Sequence, residues 1–151
     1  MSTSTNGKAS TIKETFSRET SVSIQIEASP AIVWGLLTNA SDAARWNSTI
    51  VSLEGNIALG QTVKLVSTLD ESRTFNLTVK EFEPEKRLVW GDRQGSRVYS
   101  ITPQGSGVIF SMNEKIGGFL FPLFSRFIPP FDESFEQFAA DLKREAERQA
   151  G

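Results

Sequence analysis

At 151 residues, with 38% apolar and 23% charged side chains, the chain has the make-up of one ordinary globular domain able to bury a substantial core. A net charge of −2 supplies no global basic field, so nucleic-acid binding along a phosphate backbone is not expected. Cysteine and histidine are both absent, which excludes disulfides, Cys or His metal sites and every Ser–His or Cys–His nucleophile; catalysis would have to use carboxylates, Tyr, Lys, Arg or positioning.

The opening MSTSTNGKAS holds no apolar stretch of the kind a secretory leader needs, so a cytoplasmic protein is expected. Residues 1–17 read as a disordered polar tail ahead of one domain over 18–151. In SVSIQIE, residues 21–27, Val22, Ile24 and Ile26 alternate with Ser23 and Gln25, which predicts a half-buried strand. Ser29 and Pro30 supply an N-cap and a first helical residue. Ile32, Val33, Leu36 and Leu37 then form the apolar stripe of a helix that Asn39 ends. A second short helical piece over 42–45, capped by Ser41, delivers Trp46.

From residue 49 to 116 strand follows strand. Residues 49–54 form one, closed by Gly55, and 61–69 form the next, with Val63, Leu65, Ser67 and Leu69 on one face. Residues 70–72 read as a hairpin turn, with Asp70, Glu71 and Arg73 solvated around it, into a strand over 73–82 where Phe75, Leu77 and Val79 share a face. Pro84 breaks that strand. Leu88 and Trp90 mark a strand over 87–92, and Arg97, Tyr99 and Ile101 mark one over 97–102. After the turn at Gly105, Ser106 and Gly107, a last strand alternates Val108, Phe110, Met112, Glu114 and Ile116. Such short connections predict an antiparallel meander.

Residues 117–131, GGFLFPLFSRFIPPF, are the most apolar stretch of the chain. Arg126 and three prolines break it well short of the roughly 18–20 apolar residues a spanning helix needs, so integral membrane association is not expected. Pro129 and Pro130 separate it from a helix over 131–148, because each lacks an amide hydrogen and clashes with a preceding turn. Phe131, Phe135, Phe138 and Leu142 form the stripe of that helix, and Glu133, Glu136, Asp141, Lys143, Arg144, Glu147 and Arg148 its solvated face.

These elements resemble the START-related helix-grip (SRPBCC) superfamily, in particular its polyketide cyclase/dehydrase and lipid-transport branch. The resemblance is carried by SVSIQIEASPAIVWGLLTNASDAARWN, EGNIALGQTVKL, FEPEKRLVWGD, GVIFSMNEKIGGFLFPL and LKREAE, over roughly residues 18–149. It implies an α+β helix-grip fold: a seven-stranded antiparallel sheet wrapped around a long C-terminal helix, two short helices between strands 1 and 2, and an apolar cavity between sheet and helix. The superfamily hosts lipid carriers, hormone sensors, aromatase/cyclases and chaperone-associated domains, so the resemblance speaks to fold more than to function.

Read in register, the concave face presents Val63, Leu65, Leu69, Phe75, Leu77, Leu88, Trp90, Tyr99, Ile101, Phe110 and Met112, with Asp92, Arg97, Glu114 and Ser67 interleaved. Inward charges are costly to bury unless they pair or meet a ligand. Arg97, Tyr99, Glu114 and Asp92 are therefore the catalytic candidates: Arg97 to hold an oxyanion, Tyr99 to donate a hydrogen bond, Glu114 to accept a proton. The alternative is a cross-strand Arg97–Glu114 salt bridge at a sheet edge. The expected ligand-binding residues are Trp46, Leu65, Phe75, Leu77, Trp90, Tyr99, Phe110, Met112, Phe121, Phe124, Phe127 and Phe135. Trp46 would sit near the cavity mouth, where the superfamily places a tryptophan, or else anchor the helical pair to the sheet. Phe121, Phe124 and Phe127 read as a hinged apolar roof, with plain core packing or peripheral membrane contact as the other readings. The expected partner is a hydrophobic small molecule, lipid-, aromatic- or polyketide-like, bound or turned over in the cavity. No cofactor or metal is expected.

Overall fold

The polar N-terminal stretch already departs from the expectation of a disordered tail. In the computed structural model, which describes residues 5–151, β1 (Ser10–Lys13) pairs antiparallel with β2 (Ser17–Ile26). The expectation for residues 1–4 lies outside the described residues. Backbone pairing holds β1, with two ties to the C-terminal helix: Thr11 Oγ1 donates to Asp132 at 2.7 Å and the Ala9 amide to Glu136 at 2.9 Å. Its side chains are mostly exposed, so no apolar alternation betrays it.

The remaining elements are α1 (Pro30–Thr38), a 3₁₀ turn (Ala40–Asp42), α2 (Ala43–Trp46), β3 (Ile50–Glu54), β4 (Thr62–Ser67), β5 (Asp70–Glu83), β6 (Arg87–Gly91), β7 (Gly95–Gln104), β8 (Gly107–Gly117), α3 (Phe121–Phe124), a 3₁₀ turn (Ser125–Phe127) and α4 (Asp132–Ala150). The sheet is antiparallel and open, in the order β1-β2-β8-β7-β6-β5-β4-β3, so it has eight strands where seven were expected. The extra one is β1, which covers the edge of β2. The helix-grip arrangement is present: α4 lies along β2 and α1.

Local chemistry explains the boundaries. Ser29 caps α1 as expected, its Oγ accepting from the Ile32 amide, with Pro30 at the first helical position. Ser41 is not a cap; its hydroxyl donates to Asn39 instead. The β4–β5 hairpin turns at Thr68–Leu69, two residues before the expected turn, because Ser67 pairs with Asp70 and its Oγ accepts from the Leu69 amide at 3.1 Å. Gly107 cannot be replaced cheaply: a Cβ there would lie 2.1 Å from the Ile26 carbonyl oxygen.

The core is aromatic at its centre. Phe138 of α4 stacks on Phe110 of β8 (centroids 6.1 Å apart) and meets Tyr99 of β7 and Trp46 at the end of α2. Phe110, Phe135, Met112 and Leu142 are fully buried, each contributing roughly 1.5–3 kcal/mol of apolar transfer. The polar face expected for α4 holds except at Asp141, which is buried: it accepts from the Ser48 amide and hydroxyl at 2.8 and 2.7 Å, from Gln137 at 2.8 Å and from Arg144 at 2.9 Å. Glu145, also buried, ties α2 to α4 through Arg45. Burial alone would raise the Asp141 carboxyl, but the bonds from Ser48, Gln137 and Arg144 hold it below its ordinary value.

Candidate ligand-binding site

The inward row of the sheet is built by register. β6, β7 and β8 pair without a shift, so Trp90 faces Arg97, Arg97 faces Glu114, and Glu114 faces Thr20 of β2. The bulges fall elsewhere, on the β3–β4, β4–β5 and β5–β6 ladders, so Arg97, Tyr99 and Glu114 keep the inward orientation that strict alternation requires. Gly91 ends β6 where the chain must return tightly; a Cβ there would lie 2.3 Å from the Gly95 carbonyl oxygen.

Between this row, the β4–β5 hairpin and the β8–α4 connection lies a pocket of about 240 Å³. Its apolar wall comes from Leu65, Leu69, Phe75, Leu77, Trp90 and Ile116, and its cover from Phe124, Phe127, Ile128, Pro129 and Phe131. The polar end is Ser67, Asp92, Gln94, Ser96, Arg97 and Glu114. The pocket reaches the surface beside Asp70, Arg73 and Phe127, all exposed.

Arg97 Nε donates to Glu114 Oε1 at 2.6 Å, and its guanidinium lies over the Phe135 ring, 5.0 Å from the centroid. The two charges form the cross-strand salt bridge of the alternative reading, but inside the pocket on two interior strands rather than at a sheet edge. Burial works against the charge on Arg97; Glu114 and Tyr99 beside it overcome that and hold the guanidinium above its ordinary value. Burial pushes the Tyr99 phenol up, against the opposing pull of Arg97, so it stays a hydrogen-bond donor at neutral pH.

Of the expected site residues, Leu65, Phe75, Leu77, Trp90, Phe124, Phe127, Arg97, Glu114 and Asp92 line the pocket. Trp46, Tyr99, Phe110, Met112, Phe121 and Phe135 do not: all are buried in the core, because α4 packs its aromatic stripe against the row below Arg97 and leaves no space there. Trp46 anchors α2 edge-on against Phe138. Asp92 lies past the end of β6 and its carboxylate accepts from the Gln94 and Gly95 amides, which shapes the turn. Trp34 packs edge-on against Phe82.

Arg18, which no sequence pattern singles out, pins the cover. Buried beneath the β8–α4 connection, it donates to the Ile128 and Pro129 carbonyls at 3.2 and 2.8 Å and stacks over Phe131 at 4.7 Å. Its sequence neighbourhood carries no signal for this, since the partners lie more than a hundred residues away. Arg73, expected to be merely solvated, is exposed but stacks over Phe75 at the mouth. Among the described residues, no cluster of acidic side chains could hold a metal ion.

A family model described as polyketide cyclase / dehydrase and lipid transport matches residues 17–147. None of the curated proteins matches the sequence significantly. Similar solved structures include a conserved protein of unknown function from Enterococcus faecalis (TM-score 0.69, 15% identity, 97% of this chain and 81% of that one). A protein from Nitrosomonas europaea is equally similar (TM-score 0.70, 16% identity, 91% and 98%). A third, from the dynemicin biosynthetic locus, has a TM-score of 0.64 at 16% identity and covers 86% of this chain and 47% of its own. At such identities the likeness speaks to the fold alone.

Proposed function

The chain belongs to the polyketide cyclase/dehydrase and lipid transport family, and from that premise we propose that it binds one compact hydrophobic molecule, aromatic or polyketide-like, in the pocket between β4–β8 and the β8–α4 connection. The observation that carries this reading is the pocket's composition: a mainly apolar wall that converges on the Arg97–Glu114 pair. Affinity would come from buried apolar area, at roughly 25 cal/mol per Å², and orientation from a ligand oxygen accepting from Arg97. At about 240 Å³ the pocket lies just below the ~300–1,000 Å³ typical of drug-sized sites, which favours a compact ring system over a two-chain lipid.

A cyclase- or dehydratase-type reaction in the same pocket is the second reading, favoured by the position of Glu114 and Arg97 facing the apolar wall. The 2.6 Å ion pair counts against it, because Glu114 Oε1 is already occupied by the Arg97 guanidinium. Thermal unfolding with naphthoate, naphthol and a long-chain fatty acid separates ligand classes. A ligand at a hundred times its Kd adds about 2.7 kcal/mol, roughly 5–10 °C in Tm for a chain of this size. Stabilisation by naphthoate that Leu65→Trp abolishes is the expected result. Stabilisation by the fatty acid alone would overturn the compact-ligand assignment, and no stabilisation by any of the three would overturn the pocket as a binding site.

A further inference from the structure

Much of the β8–α4 connection is exposed to an unusual degree, Phe127 at the rim of the pocket included. Phe119 is 87% exposed, Leu123 72%, Phe127 71% and Leu120 56%. Phe16, 53% exposed at the tip of the β1–β2 hairpin, adjoins them, since the Gly118 amide donates to the Phe16 carbonyl at 3.0 Å. Single exposed apolar side chains are ordinary, but a contiguous group of five marks an interaction surface.

We propose that this end of the molecule docks on the surface of an anionic lipid bilayer, with Phe119, Leu120 and Leu123 inserted at the headgroup boundary. Side chains this exposed project from the body instead of lying on it, which suits insertion into an interfacial layer ~5–10 Å deep. A standard protein interface instead needs about 800 Å² per partner, with apolar side chains half-packed in a flat, polar-rimmed patch. Charge points the same way: from Lys115 to Phe131 the chain has two cations, Lys115 and Arg126, and no acid, although the whole protein carries −2. Lys13 and Glu14 at the hairpin tip offset each other. The surface is also continuous with the pocket, because Phe124, Phe127 and Ile128 of the same connection line it. Docking would set the mouth against an apolar phase, though attachment itself does not depend on what the pocket binds. Among the described residues no helix is long and apolar enough to cross a membrane, so the contact is peripheral.

Co-sedimentation of the full chain with phosphatidylcholine vesicles, with and without phosphatidylglycerol, tests this. The intact protein should sediment with the phosphatidylglycerol vesicles. Phe119→Ser combined with Leu123→Ser, both away from the pocket lining, should weaken binding by well over ten-fold at unchanged Tm. Arg126→Gln should weaken it about five-fold, and only on anionic vesicles. The proposal fails if the intact protein stays in the supernatant, or if the double variant sediments like it. It fails equally if sedimentation velocity shows a dimer that the double variant converts to monomer, which would assign the face to a second copy of the chain.

Discussion

Tyr99 is the only tyrosine in the chain, so its ionisation can be read without interference. Burial raises its phenol above the ordinary value near 10, with Arg97 opposing. A spectrophotometric titration should therefore show no tyrosinate until above pH ~10, and then a rise coupled to unfolding. The sign follows from linkage: the raised group contributes stability below its unfolded pKa that is lost as pH climbs through the folded one. Titration at or below the ordinary value would mean that Tyr99 is solvated. Asp141 behaves oppositely. Held below its ordinary value by Ser48, Gln137 and Arg144, it stabilises the fold above about pH 4 and ceases to as pH falls through its folded pKa. Asp141→Ala should cost about 1.5–3 kcal/mol in denaturant unfolding at pH 7, since Ser48, Gln137 and Arg144 lose the charged acceptor they share. The penalty should shrink in acid; one that stays constant with pH would argue against an ionised Asp141.

Among the elements, the β8–α4 connection departs most from simple pattern reading. Pro129 and Pro130 do separate it from α4, which starts at Asp132, and Phe124 and Phe127 do cover the pocket. Phe121 instead turns into the core, 5.5 Å from Phe124. The clamp on this segment is Arg18: its two bonds to the Ile128 and Pro129 carbonyls are the tie that holds the cover beside β2. Arg18→Met keeps the stem but removes both donors. Hydrogen exchange should then quicken for the amides of residues 118–128 while β7 and β8 stay protected. Unchanged exchange in the connection would show that apolar packing alone holds it. The strand alternations, the Ser29-Pro30 start and the α4 stripe were legible because each buries one face with a regular period. β1 was not, because its side chains are mostly exposed and its hold is backbone pairing. Neither was the limit of the pocket. Alternation tells which side of the sheet Tyr99, Phe110 and Met112 face, but only the packing of Phe135 and Phe138 shows that α4 fills the space in front of them.

At the scale of the whole molecule, a curved sheet and one long helix enclose more volume than the helix fills, and the remainder lies at the Arg97 end. The fold follows from patterned burial; the function rests on what that remainder accepts. Trp90 lines the pocket while Trp34 and Trp46 do not, so a bound ring should change its emission. The most direct measurement is a fluorescence titration with naphthoate on the intact protein, Arg97→Met and Leu65→Trp. The expected result is saturable one-to-one binding, weakened roughly ten-fold or more by losing the charge-assisted hydrogen bond in Arg97→Met and abolished in Leu65→Trp. Equal binding by all three proteins, or no saturation in any, would contradict it.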